Sequence, residues 1–207
     1  MARIVFVDGP MFAGKTEHLI AEAAKLSAGG ERFLVFKPAL DSRFERNAIC
    51  SHDGYSFKAI VVDGPQRLFS KTLQNRRPVP RTVIVDEVQF FQPAELMVAT
   101  VAYLSTKMPA IETIILAGLT RDFRGEPFGA APQLKEMADQ VIELTAKCAV
   151  CGGPATRSQR LIDGRPASWF YPVVLVGGQK EGYEPRCVAH HQVRYRRIGK
   201  LLKMAGL

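Results

Sequence analysis

The chain has 207 residues, 47% of them hydrophobic, with a formal net charge of +8 and four cysteines. That length suits one medium domain with at most a small appendage, and the apolar content is enough for a sizeable core. No apolar run approaches the ~18 residues of a membrane span, no leader pattern precedes the first strand, and the cysteines are too few for the disulfide scaffold of a small secreted protein; a soluble cytoplasmic protein with no membrane partner is expected.

Residues 3–7 read as a short buried strand, and residues 17–24 as the start of a helix. Between them stands Gly9-Pro10-Met11-Phe12-Ala13-Gly14-Lys15-Thr16, which fits G-x-x-x-x-G-K-[ST]. Residues 32–37 read as a second strand, stopped by Pro38, and residues 39–56 as polar and irregular. A strand is predicted over 55–62, a helix over 64–75, a β-branched strand over 82–86, and a helix of about three turns from Pro93 to near Ser105. Residues 113–117 and 140–144 complete the strands. Short apolar strands alternating with helices predict a mostly parallel sheet covered on both faces, an α/β fold of the phosphate-loop (RecA-like) kind. We assign it to residues 1–145. Composition shifts at Cys148, so residues 146–207 read as a small zinc-binding subdomain, with strand-like pieces near 155–161 and 169–176 and a helix-like stretch near 188–204.

Three constellations carry chemistry. In the first, glycines let the loop backbone wrap phosphate oxygens, and the positive end of the following helix faces the same anion. Lys15 would reach the β- and γ-phosphates of ATP, and the Thr16 hydroxyl would ligate Mg²⁺. In the second, Asp86 and Glu87 end an apolar strand. An acid there belongs to the Mg²⁺ shell, and Glu87 is a candidate base for an attacking hydroxyl. In the third, Cys148-x-x-Cys151 and Cys187-x-x-His190 are two ligand pairs flanking a hairpin-sized insert, the spacing of a closed, structural Zn²⁺ site. His191 competes with His190 for the fourth position, with the spacing favouring His190, and Cys50 reads as an ordinary thiol.

With these parts assembled, the chain resembles the type II thymidine kinases over nearly its whole length. The resemblance is carried by residues 9–16, by Asp86-Glu87-Val88-Gln89-Phe90-Phe91, by the 118–129 segment from Gly118 to Gly129, by Leu144 to Cys148, and by Gly177, Gly178, Tyr183 and Cys187. It implies ATP- and Mg²⁺-dependent phosphorylation of the thymidine 5′-hydroxyl, with Glu87 as base, and Arg43 near the phosphates. It implies a nucleoside pocket around Met11, Phe90, Leu119, Phe123, Phe128 and Ser158, with Tyr183 on a lasso loop that closes over the nucleoside and is anchored by the zinc subdomain. A homotetramer and dTTP as a feedback inhibitor in the substrate site are implied in the same way. The chain departs from the family's pattern at Val88, where glycine is frequent, at Thr120, where aspartate is usual, and in a longer 177–183 segment and Cys151–Cys187 insert.

Two other readings compete. Another phosphate-loop enzyme would use Lys15, Thr16 and Asp86 but leave the paired metal ligands beside Tyr183 without a purpose. A nucleic-acid-binding module would use the basic tail (Arg194, Arg196, Arg197, Lys200 and Lys203) but leave Glu87 and the phosphate loop idle. A solvated helix face accounts for that tail, and no nucleic-acid partner is expected.

Overall fold

The computed structural model describes residues 1–40, 47–51, 53–74, 79–174 and 181–194. Arg43, residues 177–180 and the tail beyond Arg194 lie outside the described residues.

In chain order the elements are β1 (Arg3–Asp8), α1 (Lys15–Ala28), β2 (Phe33–Pro38), β3 (Ala48–Cys50), β4 (Ser56–Lys58), β5 (Ile60–Val62), α2 (Pro65–Gln74), β6 (Thr82–Val85), a 3₁₀ turn (Val88–Phe90), α3 (Ala94–Lys107), β7 (Thr113–Gly118), α4 (Ala131–Glu136), β8 (Gln140–Glu143), β9 (Ala146–Lys147), β10 (Pro154–Ala155), β11 (Arg157–Ile162), β12 (Arg165–Pro166) and β13 (Glu181–Arg186). Six strands pair in the order β5-β2-β6-β7-β1-β8, every pair parallel. This is the expected α/β sheet.

Strand alternation divides the core between the two faces. Ile4, Phe6, Phe36, Val83, Val85 and Leu116 pack with Leu68, Met97, Val101, Leu104 and Leu134 beneath α2, α3 and α4. Val5, Val7, Val35, Ile84 and Ile115 pack with Leu19, Ala23 and Ile49 beneath α1 and the β3–β4 hairpin. Because the central strands are covered on both faces, the sheet edge facing ligands is its C-terminal end, where loops after parallel strands gather.

Four local expectations are corrected. The 55–62 stretch is two strands: β4 pairs antiparallel with β3, and β5 joins the main sheet beside β2. The 39–56 stretch is therefore not all irregular; it contains β3. Residues 169–174 form turns instead of a strand, and residues 188–194 form a turn and extended chain instead of a helix. There the backbone serves the metal cluster, with the Cys187 carbonyl accepting from the N–H groups of His190 and His191. Helix α4 had no expectation; its six residues carry too little periodicity to read.

Beyond the sheet, β9 and β10 form a small antiparallel pair, and β11 pairs antiparallel with both β12 and β13. The β11–β12 turn falls at Asp163 and Gly164, both at positive φ (49° and 71°). No helix among the described residues is long and apolar enough to cross a membrane.

Candidate active site

The loop between β1 and α1 is shaped as a cradle. A Cβ on Gly9 would stand 2.7 Å from the Leu144 carbonyl oxygen, so only glycine lets the loop run this close to the end of β8. Gly14 takes the left-handed conformation (φ 83°, ψ 22°) that turns the chain into α1. Lys15 is buried at 8% exposure, and its ammonium donates to the Gly9 and Pro10 carbonyls, both at 2.8 Å. The cation thus sits inside the loop that would wrap phosphate.

Across β7, the end of β6 supplies the acids. Asp86 is 4% exposed; its Oδ2 accepts from the Thr16 hydroxyl at 3.0 Å, and its Oδ1 accepts from the Glu87 N–H at 2.9 Å. Burial, reinforced by the neighbouring Glu87 charge and only partly opposed by those hydrogen bonds and Lys15, pushes the Asp86 carboxyl up to about 7. A divalent cation between Thr16 and Asp86 would reverse that push, so the donor set fits Mg²⁺: two hard oxygens beside a phosphate cradle.

Glu87 occupies the left-handed region (φ 52°, ψ 46°) and opens the 3₁₀ turn. Its Oε2 accepts a hydrogen bond from the side-chain amide of Gln89. Phe90, from the same turn, meets Phe128 edge-on at 5.5 Å between ring centres. The segment after β7 is ordered by the buried Asp122, whose carboxylate accepts from the N–H groups of Arg124 and Glu126. It carries Leu119 to the mouth of the phosphate loop, Phe128 to Phe90, and Phe123 to the guanidinium groups of Arg124 and Arg160. A cavity of about 390 Å³ there is lined by Gly9, Pro10, Leu119, Thr120, Arg157 and Ser158, among others.

The appended strands reach this mouth directly. The Ser158 hydroxyl, on β11, accepts the Met11 N–H at 3.0 Å, tying the subdomain to the phosphate loop. Tyr183 lies in β13, opposite Arg160 of β11. Phe123 is a junction: the Arg124 and Arg160 guanidinium groups lie 5.3 and 5.2 Å from its ring centre, and its carbonyl accepts from the His191 ring at 2.9 Å. The same two arginines donate to the Tyr171 and Pro172 carbonyls, fastening the chain that leads toward β13.

Ligand atoms of Cys148, Cys151, Cys187 and His190 all lie within 4.8 Å of one another. Tetrahedral Zn²⁺ with bonds of about 2.0–2.3 Å needs such a cluster. Burial alone would raise the Cys148 thiol, but the N–H groups of Cys187, Cys151 and Val150 bring it down to about 6, favouring the thiolate a metal requires. His190 turns Nδ1 into the cluster, 3.1 Å from the Cys187 sulfur, whereas His191 turns to Phe123. Cys50 stands apart on β3 and is not in the cluster.

Reading single residues missed several that the geometry brings in. Asp8 accepts from the Gly9 N–H, the Thr120 hydroxyl and Lys135, bracing the phosphate loop from behind. The unusual Thr120 thus has a partner in Asp8. An acid ending an otherwise apolar strand just before the loop was the available signal. Gln89 and Arg124 lie within segments that carry the resemblance but gave no sign of a role of their own, and Lys135 gave none, because their contacts to Leu119, Tyr171 and Asp8 are distant in sequence.

A glycine-lined phosphate cradle, an acidic pair two strands away and a Cys₃His cluster on an appended sheet define a phosphate-loop nucleotide-handling protein of the α/β class. A family model described as thymidine kinase matches residues 2–191. The chain is 43% identical over 187 residues to the thymidine kinase of Coprothermobacter proteolyticus, covering 90% of this chain and 89% of that protein. It is 44% identical over 193 residues to the thymidine kinase of Deinococcus deserti, covering 90% of this chain and 93% of that protein. The chain belongs to the thymidine kinase family.

Proposed function

We propose that this enzyme transfers the γ-phosphoryl group of ATP to the 5′-hydroxyl of thymidine, giving dTMP. The observation that carries the reading is the position of Glu87, one residue beyond an Asp86 that is already hydrogen-bonded to Thr16 of the phosphate loop. A carboxylate there lies beside, and not within, the cation-holding pair, which suits a base.

In this reading the loop N–H groups and Lys15 hold the phosphates, and Thr16 and Asp86 hold Mg²⁺. When bound, Mg²⁺ offsets the negative charge on the transferred group. Glu87 orients the 5′-hydroxyl and takes its proton as the oxygen attacks in line. Positioning and electrostatic stabilisation supply most of the acceleration. Phe90, Phe128, Leu119 and Met11 would form an apolar slot sized for a pyrimidine, a shape that rejects the larger purine. The lasso loop bearing Tyr183 would close over the nucleoside and exclude water, suppressing ATP hydrolysis. Zn²⁺ on Cys148, Cys151, Cys187 and His190 would be structural, with all four positions filled by protein.

Support for the substrate comes from the names of both relatives and from the family match; support for the chemistry comes from the cradle and acid geometry. The roles of Arg43 near the phosphates, of a homotetramer, and of dTTP as a feedback inhibitor rest on the family resemblance. The test is a nucleoside panel with Mg²⁺-ATP, following phosphorylated product. Thymidine should be converted to the 5′-monophosphate, and adenosine and guanosine analogues should not. Purine phosphorylation at a comparable rate would overturn the pocket assignment.

A further inference from the structure

We propose that Gln89 is a positioning residue for phosphoryl transfer, whose locked side-chain amide sets the orientation of the Glu87 carboxylate. The inference rests on the reading of Glu87 as the base.

Gln89 is fully buried, at 0% exposure. The Leu119 N–H donates to its side-chain oxygen at 3.0 Å. A backbone N–H can only donate, so that side of the amide must be the oxygen. The amide is planar, so its NH₂ is necessarily the group turned toward Glu87 Oε2. The ambiguity that leaves most glutamine amides free to flip is thereby removed.

The lock is built from three elements. Gln89 sits in the 3₁₀ turn after β6. Gly118 ends β7, and a Cβ there would stand 2.6 Å from the Gln89 side-chain oxygen. Gly129, before α4, is at φ 53°, and a Cβ there would run into the Gln89 backbone carbonyl. Gly118 therefore leaves room for this side chain, and Gly129 for the backbone that carries it. Such provision is not required by Glu87 as a surface acid. It is required if a residue in the left-handed region must hold its carboxylate in one rotation, since such a conformation persists only where the surroundings over-determine it.

Substitutions separate positioning from bracing. Gln89→Met keeps the side chain's length but removes both amide contacts, the donor to Glu87 and the acceptor for the Leu119 N–H, so the Glu87→Gln background separates the two. A brace acting only on Leu119 would cost as much in that background as in the parent. Positioning predicts a fall in kcat of about 10–100-fold, the scale of a displaced reacting group, with the KM for ATP within about threefold of the parent. In the Glu87→Gln background the same change should add less than about twofold, because contacts acting through one group are not additive. Should Gln89→Met fail to fold, Gln89→Asn retains an amide one methylene short and should show the same kcat loss, unchanged KM and the same non-additivity with Glu87→Gln. Parental kcat in the folded variant, or a full and independent loss in the Glu87→Gln background, overturns the inference while leaving Glu87 as base. Parental turnover by Glu87→Gln itself overturns both.

Discussion

Asp86 shows how one residue's burial becomes a solution property. Its carboxyl is pushed up from 3.8 to about 7, so the folded chain keeps a proton that the unfolded chain releases. Its contribution to stability is therefore full below the unfolded value and is lost as pH rises through about 7. Asn at this position cannot ionise. In Mg²⁺-free buffer, the melting temperature of Asp86→Asn minus that of the parent should rise as pH goes from about 5 to about 8. Parallel curves would mean that Asp86 ionises as freely as an exposed acid. Thr16 belongs to the same small group. Thr16→Val removes the hydroxyl donated to Asp86. It should raise the Mg²⁺ concentration needed for half-maximal turnover by about tenfold or more, as loss of an oxygen ligand or its support does.

Among the elements, the close approach of the 3₁₀ turn to β7 and to the loop before α4 is the tightest seam. Gly129→Ala must move the Gln89 backbone and adopt a strained φ. Overpacking of this kind costs about 1–3 kcal/mol, so the melting temperature should fall by about 2–10 °C; an unchanged melting temperature would show that the seam yields freely. This seam also marks where sequence reading stops. The phosphate loop was legible because its glycines, lysine and threonine are consecutive and their spacing is dictated by one ligand. The central strands β1, β6 and β7 were legible because burial on both faces makes each a nearly continuous apolar run, whereas β5 was read as one strand with β4. The metal ligands were legible from paired spacing. Gln89 was not, because a glutamine's role depends on Leu119 and Gly129, thirty or more residues away in sequence. The same holds for Arg124 and for Asp8, whose partner Lys135 comes from α4. The helix expected near 188–204 failed over residues 188–194, since basic and apolar spacing cannot register that Cys187 and His190 turn the chain into the Cys₃His cluster.

At the scale of the whole molecule, the contacts between the sheet edge and the appended strands include Ser158 on Met11, His191 on Phe123, Arg160 over the Phe123 ring and Arg124 on the Tyr171 carbonyl. His191 follows the cluster residue His190 directly, and Met11 and Phe123 are among the residues assigned to the nucleoside pocket. Loss of the metal should therefore act on thymidine more than on ATP. Cys148→Ser should lose stoichiometric zinc by elemental analysis and weaken thymidine binding by about tenfold or more, with ATP binding much less affected; equal losses for both ligands would indicate general unfolding. The account's central claim is phosphoryl transfer to thymidine with Glu87 as base. Its most direct test is ADP release from Mg²⁺-ATP by the parent and Glu87→Gln proteins, each with and without thymidine. The account predicts thymidine-dependent release by the parent, reduced about 10²–10⁴-fold in the variant with ATP affinity retained. Release independent of thymidine, or a variant within about threefold of the parent, would contradict it.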